Sequence, residues 1–104
     1  MVMSATDAFN VTGSTINISA TSTSASYTFT SPIAANSPNC QIYNAGPNLA
    51  FMRWGVSTQT AVATDTPIPV GAILNFFKGQ SDTFAAICAS GQTATIYITP
   101  GAGV

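Results

Sequence analysis

The 104-residue chain holds two basic residues, three acidic ones and no histidine, so charged side chains make up only 5 % of it, against about 25 % in an average globular protein. With a net charge of −1 and no basic cluster, it has little with which to neutralise phosphates, which argues against a nucleic-acid partner. No apolar run nears the ~20 residues that cross a bilayer as a helix, so no membrane span is expected either.

Ser and Thr fill about a quarter of the positions, so the expected surface is hydroxyl, amide and small apolar groups. The length suits one domain. Residues 1–12 read as an N-terminal arm and 13–104 as the domain. The opening MVMSATDAFN has neither a basic nor a long apolar segment, so no signal peptide is expected.

Short alternating runs recur along the chain with turn residues between them, and none has helical period. Ile16, Ile18 and Ala20 alternate with polar residues, and TSTS leads to a second strand bearing Tyr27 and Phe29. A loop rich in Ser, Pro and Asn follows, then the strand CQIYN at 40–44 and the turn NAGPN at 44–48. LAFMRWGV (49–56) is a fourth strand, and STQTAVATDTPIP (57–69) is loop with a short edge strand, because Pro67 and Pro69 cannot donate to a ladder. VGAILNFFK (70–78) and TFAAICA (83–89) read as a hairpin closed by GQSD. In the last strand, TATIYIT (93–99), Ala94, Ile96 and Ile98 share one face while Thr95 and Tyr97 take the other. The expected fold is all-β: an antiparallel β-sandwich or jelly-roll-like barrel of seven or eight strands.

AFMRWGV raises a specific question, because Arg53, one of two cations, stands beside the only tryptophan, Trp54. Alternation puts Phe51 and Arg53 on one face and Met52 and Trp54 on the other. Arg53 belongs outside, since an unpaired buried guanidinium costs several kcal/mol. Phe76 and Phe77 must also point to opposite faces, with Lys78 adjacent. Exposed aromatics next to a lone cation resemble the centre of a protein–protein interface. The candidate interface residues are therefore Phe51, Arg53, Trp54, Phe76, Phe77 and Lys78. The bland reading makes Trp54 a core anchor and Arg53 a solvated strand residue.

No catalytic residues are expected. With no histidine and no glutamate, no Ser or Thr has a base to activate it. Asp7, Asp65 and Asp82 lie far apart, and the last two suit turn capping. Cys40 and Cys88 cannot complete a structural zinc site by themselves, so neither metal nor cofactor is expected. Buried, reduced thiols are the first reading, with a disulfide as the alternative.

Residues 44–104 carry a further pattern: an aromatic and basic strand ending in Gly (FMRWG), then A-T-D-T-P-I-P-V-G, then FAAICASG and a terminal IYITPGAG. This pattern resembles that of small virion proteins of tailed bacteriophages, from the head module and similar to capsid decoration (cement) proteins. The resemblance implies a structural, non-enzymatic protein with a β fold, in dimers or trimers, that binds a major capsid protein. It also implies location on the capsid surface of a virion assembled in the bacterial cytoplasm. A head-fibre base or a tail or connector subunit is the alternative within the virion. Outside it, a carbohydrate-binding β-sandwich would use Trp54, Tyr43 or Tyr97 for stacking.

Overall fold

The last strand shows how the sequence builds the fold. Ala94, Ile96 and Ile98 are buried while Tyr97 is exposed, and this period-2 pattern needs a second apolar layer to cover its inner face. The computed structural model describes residues 9–30 and 37–102. They form nine strands: β1 (Asn10–Val11), β2 (Ile16–Ala20), β3 (Ala25–Thr28), β4 (Asn39–Pro47), β5 (Ala50–Gly55), β6 (Thr66–Ile68), β7 (Ile73–Phe77), β8 (Thr83–Cys88) and β9 (Ala94–Ala102). No helix occurs among the described residues.

Two antiparallel sheets pack together. One has the order β2–β9–β4–β7, with β1 also pairing β9; the other has the order β3–β8–β5–β6. Apart from the link β5–β6, the strands from β2 to β9 alternate between the sheets. This is the winding of an eight-stranded jelly roll, with β1 as an addition to it. Within the segment read as an arm, Asn10 pairs Ala102 and Val11 pairs Gly101, while residues 1–8 lie outside the described part. Gly101 is needed for this docking, because a Cβ there would come 2.6 Å from the Asn10 carbonyl oxygen.

Two expectations are corrected by the topology. GQSD does not close a hairpin: β7 pairs β4 in one sheet, whereas β8 pairs β3 and β5 in the other. The tight-turn residues instead carry the chain across the sandwich. NAGPN is not simply a turn, since β4 continues through a register shift to Pro47, which faces Ala94. The anchor of that irregularity is Asn44, which is fully buried. Its Nδ2 donates to the carbonyls of Asn48 at 3.0 Å and Ile68 at 2.8 Å, and its Oδ1 accepts from Gly46 N at 2.7 Å. Because Ile68 belongs to β6, one amide ties the two sheets together.

The core lies between the sheets. Ile18, Cys40, Ile42, Ile96 and Ile98 come from one, and Ala50, Met52, Ile68, Phe84, Ala86 and Cys88 from the other. An aromatic cluster closes one part of it. Trp54 meets Phe84 edge-on at 5.1 Å and stacks against Phe29 at 6.1 Å, and Phe29 meets Tyr27 at 5.2 Å.

Candidate interaction surfaces

The two outer faces differ. On the β3–β8–β5–β6 sheet, Phe51 and Arg53 point outward, since Ala50, Met52 and Trp54 face the core. Loop 56–65 folds back over this face. Ala61 N donates to Ser24 Oγ at 2.8 Å, beside β3, so the loop crosses β8 before it returns to β6. Ala61 and the outward-facing Ala85 are both buried although neither belongs to the main core. The loop is therefore the cover of its own sheet.

Arg53 fastens that cover. Its Nε and one terminal nitrogen each donate to an Asp65 carboxylate oxygen at 3.0 Å, a bidentate pair. Asp65 also caps its own turn, accepting from Val62 N at 2.8 Å, as the sequence suggested. The cation placed outside by alternation is thus held by an intramolecular partner. The Arg53 guanidinium and the Val62 N–H hold the Asp65 carboxyl below its ordinary range. A lowered folded value means stabilisation that is present above the unfolded value of about 3.9 and lost as pH falls below it. We expect Asp65→Ala to cost roughly 1–2 kcal/mol at pH 7, a modest figure because Arg53 is partly exposed. Urea midpoints for the two proteins should converge toward pH 3. A gap unchanged by acid would show that the ion pair contributes nothing.

The remaining candidates separate. Trp54 and Phe76 pack against the core. Phe77 points outward from the opposite sheet and is 77 % exposed. Lys78 is buried, contrary to the picture of an exposed cation beside an exposed aromatic. Alternation along β7 turns it inward after Phe77, and its Nζ donates to the Ser81 carbonyl at 2.9 Å. Burial lowers its pKa, with Cys40 and Asp82 acting in the other direction. Phe51 and Arg53 therefore lie on one face of the sandwich and Phe77 on the other, and the six residues make no single patch.

Cys40 and Cys88 are both free and buried. Burial pushes the Cys40 thiol up to about 12, against opposing effects of Lys78 and the Trp54 side chain, and burial also raises Cys88. Neither is an activated nucleophile. Among the described residues no group of three or more His, Cys, Asp or Glu could hold a metal ion.

Among the described residues, most of the outer face of the β2–β9–β4–β7 sheet is left uncovered. Asn17, Tyr97, Tyr43 and Ile73 form one row across four strands. Thr99, Gln41 and Asn75 form the next; in the one beyond, Val11 and Phe77 are exposed at the two ends while Gly101 and Asn39 between them are buried. The Tyr43 and Tyr97 rings stack 6.1 Å apart. None of these residues is charged. Alternation in the last strand already separates Tyr97 from the inward Ala94, Ile96 and Ile98, whereas Val11 falls in the segment read as an arm, and the sequence leaves open which of Phe76 and Phe77 faces out. The assembly of the face is not legible there, because β4 and β9 are separated by half the chain.

No family model matches the chain, and no match is found among curated proteins or solved structures.

Proposed function

We propose that the chain is a structural virion protein that binds and stabilises a bacteriophage capsid shell as a decoration protein, in contact with the major capsid protein. The observation that carries this reading is that the charged side chains of the described residues are engaged internally. Asp7 lies outside the described residues. Arg53 pairs with Asp65, Lys78 donates to Ser81, and Asp82 accepts from Ser57 N and Thr83 Oγ1. Among the described residues, an uncharged sheet face is left to a partner, with Ile73, Phe77, Tyr43 and Tyr97 exposed on it. Apolar patches of this kind mark interaction sites, and shell binding repeated over many copies needs only a small free energy per copy. The pattern of residues 44–104 points the same way.

Purified particles with and without the protein test the reading. Contacts that are apolar and hydrogen-bonded are weakly screened, so the protein should stay bound from low salt to roughly 1 M. Decorated shells should melt at a higher temperature than bare ones, because a ligand that binds only the intact lattice stabilises it. Unchanged shell melting after removal would refute the role. Release by moderate salt would refute the contact chemistry.

A second reading, binding of a neutral carbohydrate, gains from one observation. The tyrosines singled out for stacking, Tyr43 and Tyr97, stand together on a face that also carries Asn17, Gln41 and Asn75. Loss of retention on an array of neutral glycans after replacing both tyrosines by alanine would favour it over the shell.

A further inference from the structure

Sheet edges are templates for pairing with another chain, and proteins usually blunt them with proline, charge, bulges or short strands. The edge strand β6 has three residues and contains Pro67. The edge strand β7, Ile-Leu-Asn-Phe-Phe, has none of these devices. Among the described residues it pairs only with β4, on one side. Ile73 and Phe77, on its outer face, are 62 % and 77 % exposed.

We propose that β7 is the seam of a two-fold homodimer, in which its open edge pairs antiparallel with the same edge of a second copy, centred on Asn75. The backbone is already aimed for this. Ala72 O accepts from Asn44 N, and Lys78 N donates to Pro38 O, so the even-numbered residues turn toward β4. Strand alternation then directs the N–H and C=O groups of Ile73, Asn75 and Phe77 to the open edge.

The side chains are self-complementary in that register. Ile73 of one copy faces Phe77 of the other at both ends of the seam, Leu74 faces Phe76, and Asn75 faces Asn75. Aromatic and β-branched residues are favourable cross-strand partners, and a two-fold contact requires such self-matching. Charge agrees as well: no strand residue is charged, and the Lys78 side chain turns inward, so two copies meet without like-charge repulsion. A five-residue seam is about 17 Å long, which places the contact at the low end of specific interfaces, below about 1,200 Å² in total. A contact of this size belongs with weak, concentration-dependent association, and an array of bound copies would raise its occupancy.

This inference does not depend on shell binding, and its test uses the isolated protein. Sedimentation of the full chain from roughly 1 μM to 1 mM should show a monomer–dimer equilibrium. Asn75→Pro removes an edge-facing N–H while leaving the bonds to β4, and it should weaken dimerisation at least tenfold. Cysteine cross-linking checks the register and does not rely on that variant folding. Asn75→Cys should form a disulfide-linked dimer on mild oxidation, since directly paired residues sit about 5.5 Å apart. Ile73→Cys should not, because its two copies would lie about 13 Å apart, four residues along the seam. The buried native thiols give a low background. A monomer at every concentration, a trimer, or equal cross-linking at positions 73 and 75 would overturn the proposal.

Discussion

Replacing Asn44 by Asp should destabilise the fold by about 3–5 kcal/mol, although the two side chains are nearly the same size. The amide nitrogen donates to two carbonyls, those of Asn48 and Ile68, and the amide oxygen accepts from Gly46 N. A carboxylate would keep the last bond and turn an oxygen toward two acceptors in a fully buried site. Protonation would restore one donor at most. Because Asn44 links β4 to β6, the damage falls on contacts between the sheets, where no local adjustment absorbs it. For a domain of this size the loss corresponds to a fall in melting temperature of roughly 12–40 °C. Thermal unfolding followed by circular dichroism measures it. A fall of only a few degrees would show that the Asn44 bonds are replaceable by water.

The elements were largely legible because each strand carries its own inside–outside pattern. Ala94, Ile96 and Ile98 were assigned inward and Tyr97 outward, and the structure places them so. The pairing was less legible. Gly79 and its polar neighbours suit a hairpin and a sheet-crossing link equally well, and only the covering of apolar faces by distant strands decides between them. That is why the local pattern suggests β8 as the partner of β7, whereas its ladder is with β4. A further case is the β4 irregularity. Gly46 and Pro47 announced a bend, but the buried amide that organises it comes from Asn44, a residue type usually found in exposed turns.

The same division holds for the surface. Alternation placed Arg53 outside, yet its partner Asp65 is twelve residues away and is brought back by a loop whose path no local pattern shows. The burial of Lys78 is hidden from the sequence for a related reason. A lysine after two phenylalanines looks like an exposed strand end, but parity assigns it to the inner face, and the backbone carbonyl of Ser81 supplies the partner that burial requires. Tyr43 and Tyr97 each appeared as an outward aromatic, and their stacking needed the register between β4 and β9. What a single sequence records is the direction of each side chain. Which outward side chains become neighbours is set by pairings made across the whole chain.

The second large effect should come from Phe84→Ala, at about 3–5 kcal/mol. Phe84 is fully buried on β8, stands directly opposite Trp54 in the ladder and meets its ring edge-on. Removing it takes the partner from Trp54, which in turn supports Phe29. The cavity would lie between two sheets whose backbones are fixed by their ladders, so collapse around it is limited, and the cost should fall in the upper part of the range. The free thiols supply the measurement. Cys40 and Cys88 are buried, so an alkylating reagent reaches them only when the sandwich opens. Under conditions where opening is global and reclosing is fast, labelling follows the equilibrium population of the open form. A loss of 3–5 kcal/mol should then accelerate labelling of both thiols by roughly two to three and a half powers of ten. Both should accelerate together, since they lie in facing sheets that separate in the same event. If Cys88, on the same strand as Phe84, is exposed far faster than Cys40, then the β3–β8–β5–β6 sheet opens by itself and the two sheets do not unfold as one unit.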